Sequence, residues 1–484
     1  MTTQDNAVLP VRQMESIKVD NLLINFTTEF QRIQDTAGLR SQSASFWRPM
    51  PDPDLLPGYF PLGDIALHNR NNPNGLLITA VVREGESPGE GKSKTNALAR
   101  PTDFEQIWRD TGSGSVMRLA MWRPIPPEGY VALGTVCTSD HDKPSLNSVR
   151  CVREDLVVGA NIGNQIWNDK SSGAKNNFSA WSVSPRTAAE GEIHFAPGTF
   201  IGVKSYIEPA RHYAAYALRI PIAVEVSSPA EAPMLTTNLS PLSAGAEKVT
   251  HVVRLPWFAV REQLPPIEQF QQSPMYELRR TDQYMLVGSA RNDTDQAQSV
   301  KWLARPDHDR DEILSYSGES ALKIAKHWPA QVLSDIRMTR FSALLPKSFS
   351  HTETTSTEWG NPHPVVVIAM AAKGKSVAVY RMHSLYELLR ADGTKMAFDT
   401  HYADNSSLYM TEFPAQLEEV AQHCPLPLTT SLTQTPAVKV DMTSSTQAPT
   451  IKVDMISSAQ AATVDVDMTV EPAPELPVVT DSAP

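Results

Sequence analysis

Few stretches of this 484-residue chain approach the residue spacings that catalysis requires. Gly89-Glu90-Gly91-Lys92-Ser93 invites comparison with a phosphate-gripping loop. That loop needs a glycine five residues before the glycine of its Gly-Lys pair. Glu86 stands there instead, with Gly85 one residue out of place, and no strong helix follows. The polar insertion 84–100 therefore reads as an exposed loop that proteases can nick. The twelve histidines show no His-Glu-x-x-His spacing, and no Gly-x-Ser-x-Gly elbow occurs. Three cysteines, Cys137, Cys151 and Cys424, are too few and too scattered for a disulfide framework or a zinc site. Small buried hydrophobes are their default reading. The expectation is no enzyme, no cofactor and no metal.

The elements that could position a binding surface are easier to read. Hydrophobic residues make up 41% and charged residues 20%, enough apolar material for a substantial core. The formal net charge of −11 argues against nucleic acid as a partner, though it leaves room for a local basic patch. No run approaches 18 consecutive apolar residues, and Met1 to Pro10 lacks a basic segment followed by an apolar one. The expected location is cytoplasmic or at a membrane periphery, with non-classical secretion left open.

Two segments of the first half match block by block. The first holds Trp47-Arg48-Pro49, then Gly58-Tyr59-Phe60-Pro61-Leu62-Gly63, then Gln106-Ile107-Trp108-Arg109-Asp110. The second holds Trp122-Arg123-Pro124, then Gly129-Tyr130-Val131-Ala132-Leu133-Gly134, then Gln165-Ile166-Trp167-Asn168-Asp169. Phe178-Ser179-Ala180-Trp181 begins a third, incomplete unit. Prolines at 49–57 and 124–127 exclude helix, and short strands bounded by Gly, Pro and Asp fit. Each Trp is expected to be a structural anchor, with the neighbouring Arg available for a cation–π contact.

These ordered blocks resemble the Vps62-related family, and they are similar to the repeats of the adaptor-binding module of the lipid-transfer protein Vps13. The resemblance covers about Ser45 to Glu208. It implies a non-enzymatic β repeat module, of β-sandwich type, associated with vacuolar protein sorting. In the Vps13 relatives such a module binds Pro-x-Pro motifs of membrane adaptors. The chain departs from them in having about two repeats.

From 226 to 424 the composition changes. Tyr284–Val287 and Ser299–Leu303 read as strands around the turn 291–294, 319–327 as a helix, and 364–372 and 375–382 as strands. The Ser/Thr-rich stretch 347–359 weakly resembles the central strands of aerolysin-like pore-forming proteins. Ser348, Phe349, Thr352, Thr354 and Trp359 are the candidate membrane-active positions, although an apolar face is nearly missing. From Pro425 onward there is no Phe, Trp, Tyr or Gly. This tail reads as disordered. It repeats every 13 residues: Val438-Lys439-Val440-Asp441-Met442, Ile451-Lys452-Val453-Asp454-Met455, and a decayed copy ending Asp465-Val466-Asp467-Met468. It also carries Pro-x-Pro elements at Pro425 and Pro472.

The expected organisation is mainly β. A leader (1–44) precedes a β-rich tandem-repeat domain (45–225). A second β-rich domain with minor helix (226–424) and the tail (425–484) follow. The expected partner is a protein adaptor or a membrane surface, with oligomerisation on membranes left open. The alternative function is a β-pore-forming protein that uses the repeat domain as its binding head.

Overall fold

The computed structural model describes residues 15–86, 95–113, 118–209, 214–236, 241–304 apart from 261 and 263, 332–346 apart from 337 and 338, 349, 364–414 apart from 397 and 398, and 451–455. Within these the protein is mainly β, in antiparallel sheets, with one short α-helix, Pro266–Gln272.

Three units of one design form the first half. Unit 1 (22–84) contains strands Leu22–Thr27, Phe30–Asp35, Ser45–Pro49, Phe60–Pro61, Ile65–Leu67 and Thr79–Glu84. Unit 2 (98–153) contains Leu98–Ala99, Asp103–Arg109, Ala120–Ile125, Tyr130–Val131, Val136–Thr138 and Cys151–Arg153. Unit 3 (157–221) contains Val157–Asn168, which fills the first two places as one long strand, then Ser179–Pro185, Glu192–Ala196, Phe200–Val203 and Tyr216–Pro221. In every unit the Trp-bearing third strand lies between the second and the fifth, while the sixth pairs with the first and the fourth.

The local reasons repeat as well. Trp47, Trp122 and Trp181 pair with Arg32, Gln106 and Gln165, but the preceding residues Phe46, Met121 and Ala180 pair with Gln34, Trp108 and Trp167. One residue is thus left over on each second strand, Ile33, Ile107 or Ile166, and forms a β-bulge that re-aims the strand. Gly58, Gly129 and Gly191 occupy one equivalent turn with φ of +76°, +78° and +75°, a conformation that favours glycine.

Alternation along each strand separates two faces. Trp47, Trp122 and Trp181 fill three separate outer cores, with Phe30 and Ile65, with Phe104 and Val136, and with Val183 and Ile201. Phe46, Met121, Trp108, Trp167, Phe178 and Phe200 face inward and share one central core. The units meet at equivalent residues around a pseudo-threefold axis. Asp64 N donates to Thr135 O at 2.9 Å, and Thr135 N to Phe200 O at 2.9 Å. A Cβ on Gly63 would lie 2.8 Å from Gly134 Cα, and one on Gly134 2.6 Å from Thr199 Cβ, so a side chain at either position would hold the units apart.

Three expectations change here. The repeat has three complete units where two were expected. Its phase is also shifted, because the Gln-Ile-Trp strands open units 2 and 3 rather than closing the preceding ones. And the stretch read as a leader holds paired strands. Ile17–Val19 pairs with Leu22–Thr27, which pairs with Thr79–Glu84, and Phe30–Asp35 pairs with the Trp47 strand. The physical reason is that this strand must supply unit 1 with its bulged partner.

The second half does not separate from the first at 225. Strand Thr339–Leu344 pairs with Glu192–Ala196 of unit 3. Phe26 of unit 1 and Phe195 of unit 3 lie 5.8 Å apart. Trp257 is 5.4 Å from Phe26, and Phe258 stacks on Phe195 at 4.6 Å. Edge-on and offset rings of this kind each add about 0.5–1.5 kcal/mol beyond the area they bury. The long strands Lys248–Pro256, Met275–Arg291, Ser376–Arg390 and Thr400–Phe413 extend from this shared core as one antiparallel sheet. Gln298–Ala304 and Val365–Ala371 pair in a second sheet, with Val367, Ala369 and Ala304 packed on Val379. Next to a bulge at Val287, Gly288 makes room there, since a Cβ on it would lie 2.1 Å from the Trp302 ring.

The expected strands at 284–287, 299–303, 364–372 and 375–382 coincide with described strands. The two strands flanking 291–294 do not pair with each other, so that turn passes the chain between sheets. The expected helix at 319–327 lies outside the described residues, as do Ser348, Thr352, Thr354, Trp359 and the glycine-rich loop 89–93. Of the tail, Ile451–Met455 is described, as a strand paired with Val365–Ala371.

Candidate functional site

The signature residues fall into distinct structural roles. Trp47 Nε1 donates to Ser45 Oγ at 2.8 Å, and Trp181 Nε1 to Ser179 Oγ at 2.7 Å. Unit 2 has Ala120 in the serine's place, and Trp122 Nε1 donates instead to Thr138 Oγ1 at 3.0 Å, on the strand opposite. Each indole N–H therefore finds a local hydroxyl, which is what makes burial of the ring affordable. Pro49 and Pro124 are buried at the ends of their strands. Tyr59 is buried against Ser16, with Arg83 over its ring at 5.4 Å, and Tyr130 donates to Asn96 O at 2.7 Å.

The arginines do not lie on the adjacent indoles. Alternation sends residues 47 and 48 to opposite faces. Arg48 makes a bidentate pair with the fully buried Asp64, Nε to Oδ1 and Nη2 to Oδ2 both at 2.9 Å. Arg48 also donates to Cys137 O at 2.8 Å, and Cys137 N donates to Asp64 Oδ2 at 2.6 Å. Arg123 pairs with Glu105 at 2.9 Å. The guanidinium that reaches Trp47 comes from the neighbouring strand: Arg32, 5.9 Å from the ring centre.

Trp108 and Trp167 stand edge-on at 5.9 Å in the central core. Trp108 Nε1 donates to Asp169 Oδ2 at 2.8 Å and to Asn176 O at 2.9 Å, pinning the loop 170–177 to unit 2. Burial raises the Asp169 carboxyl above its ordinary value, with Phe178 N and Trp108 working against it. Burial and this carboxylate push Tyr206 up to about 12.

The pinned loop walls a polar cleft of about 480 Å³. Gln106, Ile107, Trp108 and Arg109 form one side, Lys175, Asn176 and Asn177 the other, and Lys204 one end. Lys204 is engaged by Glu105 at 2.8 Å, and this bond is the main reason the Glu105 carboxyl sits below its ordinary value. Arg109 and Lys175 have no carboxylate partner among the described residues and are exposed. These two cations and the three side-chain amides of Gln106, Asn176 and Asn177 can hold an anionic or carbonyl-rich ligand, with Trp108 fixing the wall behind them. Its strand wall belongs to unit 2, and its loop wall and Lys204 belong to unit 3. The positions equivalent to Arg109 are Asp35, which pairs with Arg32, and Asn168. Sequence reasoning missed this site because residues 109, 175 and 204 form no linear cluster in an acidic chain.

A second cleft, of about 530 Å³, lies where the two halves meet, lined by Ile17, Ile193, Ile222, Arg254, Tyr276 and Arg279. Phe349, one of the candidate membrane-active positions, is fully buried against Tyr386, and its carbonyl accepts from Arg280 at 3.2 Å. Among the described residues no group of three His, Cys, Asp or Glu side chains could hold a metal ion, and no helix is long and apolar enough to cross a membrane.

With three units closing at residue 221, the repeat domain has the span of a known family. Residues 12–219 match the Vps62 family, vacuolar protein sorting-associated protein 62. The matched region takes in the strands at 17–35 and unit 3 as far as Arg219 in its last strand, more than the 45–208 over which the resemblance was visible in the sequence. The cleft between units 2 and 3 lies wholly inside it. No curated protein matches the chain. Among solved structures it is similar to GNIP1Aa from Chromobacterium piscinae, at 24% identity and a TM-score of 0.34, over 42% of this chain and 38% of that one. The chain thus spans less than half the length of that protein. It is also similar to Cry35Ab1, at 9% identity and a TM-score of 0.32, over 82% of this chain and 91% of that one.

Proposed function

We propose that the chain is a non-enzymatic binding protein whose Vps62 region takes a protein adaptor in a sorting context, with the cleft between units 2 and 3 as the docking site. The observation that carries this reading is the pair of exposed cations, Arg109 and Lys175, without a carboxylate partner among the described residues, beside the Trp108 wall in a chain of net charge −11. A solvated basic pair on an acidic protein favours a partner that brings carboxylates. The ligand class that follows is an extended acidic peptide, preordered by proline so that little entropy is lost on binding. The chain's own Glu471-Pro472-Ala473-Pro474-Glu475 has that chemistry and is a convenient probe.

The test is fluorescence anisotropy with a labelled peptide spanning 469–477, added to the full chain. Saturable binding is expected, weakened at least tenfold in the Arg109→Glu, Lys175→Glu double variant and weakened again by salt. Saturable binding that ignores both substitutions, or no binding to this peptide or to other acidic Pro-x-Pro peptides, overturns the reading.

Membrane attack is the second reading, favoured by the long antiparallel strands Met275–Arg291 and Ser376–Arg390, 17 and 15 residues, where about 9–11 suffice to cross a bilayer. Dye release from anionic and neutral liposomes, with and without limited proteolysis, decides it. Dose-dependent leakage would put this reading in front, and none over a wide lipid range would remove it.

A further inference from the structure

The tail strand Ile451–Met455 pairs antiparallel with Val365–Ala371, from Val365 opposite Met455 to Ala369 opposite Ile451. That strand is Val-Val-Val-Ile-Ala-Met-Ala, without a charge, glycine or proline. Gln298–Ala304 covers one of its edges. The other edge, left open, would present unpaired N–H and C=O groups on an apolar strand, the arrangement most prone to capture foreign strands. Its side chains alternate strictly: Val365, Val367, Ala369 and Ala371 are buried in the sheet interface, while Val366 and Ile368 are half-buried and Met370 is 41% exposed.

The register places positions 451, 453 and 455 opposite the buried set and 452 and 454 opposite the half-buried set. The apolar and polar residues of the motif follow this period of two. All three copies keep it: Val438, Val440 and Met442; Ile451, Val453 and Met455; Val464, Val466 and Met468 are apolar, and the positions between are Lys or Asp. An unconstrained repeat has no reason to preserve a strand period, whereas a segment that must lay one face on a core does. The 23 residues 415–437 can extend about 75 Å, so reach does not restrict the first copy.

We propose that the 13-residue repeat is a set of interchangeable docking strands for the open edge of Val365–Ala371, with the 451–455 copy seated there and the 438–442 and 464–468 copies able to replace it. Main-chain hydrogen bonds supply the attraction and the apolar alternation sets the register. Three copies on one tether raise the chance that the edge is always covered, because each vacated site faces another copy at high effective concentration.

Hydrogen exchange of the full chain tests this, read at the amides of 365–369. Proline at two adjacent positions guarantees the loss of at least one ladder donor. In the Lys452→Pro, Val453→Pro variant protection should change less than threefold, because another copy takes the place. With the equivalent pairs at 439/440 and 465/466 substituted as well, protection should fall at least tenfold, and a synthetic peptide of residues 449–456 should restore it. A full loss from the 452/453 pair alone overturns interchangeability. Unchanged protection in the triply disrupted chain, or a peptide that fails to restore it, overturns the docking site itself.

Discussion

The joints between the three units solve one geometric problem with three different chemistries. Between units 1 and 2, Asp64 sits at the axis, accepts from Cys137 N and is neutralised by Arg48. Between units 2 and 3 the equivalent residue is Thr135, whose Oγ1 accepts from Gly202 N at 2.8 Å. Between units 3 and 1 it is Phe200, which packs on Phe46 at 5.8 Å and brings no polar atom. A buried ion pair, a hydroxyl and an aromatic ring therefore occupy one backbone position. The axis requires that the site be filled and its donors satisfied, and it leaves the means open.

The joints should fail unequally, and denaturant unfolding of single variants ranks them. Asp64→Ala leaves the Arg48 guanidinium and Cys137 N without their acceptor in a buried site. It should cost about 3–5 kcal/mol, the usual penalty for breaking a buried pair from one side. Thr135→Val keeps the shape and removes one acceptor from Gly202 N, so about 1–3 kcal/mol is expected. Phe200→Leu keeps an apolar filling and opens only a small cavity, so about 1 kcal/mol is expected. A Thr135→Val loss as large as that of Asp64→Ala would break the comparison, since the joints would then depend on polar contacts equally.

The same contrast extends to the two halves. In the repeat domain the buried thiols are silent: burial pushes Cys151 up to about 12 and Cys137 well above the ordinary thiol value. Neither should react with iodoacetamide at pH 8 in the folded protein, and both should react in denaturant, as mass spectrometry can read. In the second half His251 packs against Phe349, near Arg280 and Asp282. Burial first, then Arg280, holds its value below the ordinary 6.5. A folded value below the unfolded one means stability present above about pH 6.5 and lost as pH falls towards the folded value. His251→Phe should flatten that decline in unfolding midpoints between pH 7 and pH 5, the smallest of the effects expected here.

How much was legible in the sequence depended on which residue carried the signal. Units 1 and 2 announced themselves through Trp-Arg-Pro and Gly-Tyr, because the outer anchor and the glycine turn each admit few residue types. Unit 3 has Trp181-Ser182-Val183 and Gly191-Glu192, with extra residues before Thr199, and its signature falls below recognition although its strands are complete. The phase error has one cause. Trp108 and Trp167 open units 2 and 3, but unit 1 has Gln34 at that position, so the first visible tryptophan strand looked like an ending. The basic cleft was illegible for a different reason, since Arg109, Lys175 and Lys204 converge only when loop 170–177 is pinned by Trp108.

The sequence by itself determined the β character, the repeat, the Trp anchors and the apolar alternation of the tail motif, because each is a local period or a local steric demand. Tertiary structure alone decided that the repeat closes on itself where Phe46 of unit 1 meets Trp167 and Phe200 of unit 3, that Arg48 serves Asp64 rather than Trp47, and that both halves share a core through Phe26, Phe195, Trp257 and Phe258. Those outcomes depend on which faces meet, and only the folded chain brings Phe26 within 6 Å of Trp257 and Phe258, more than two hundred positions away.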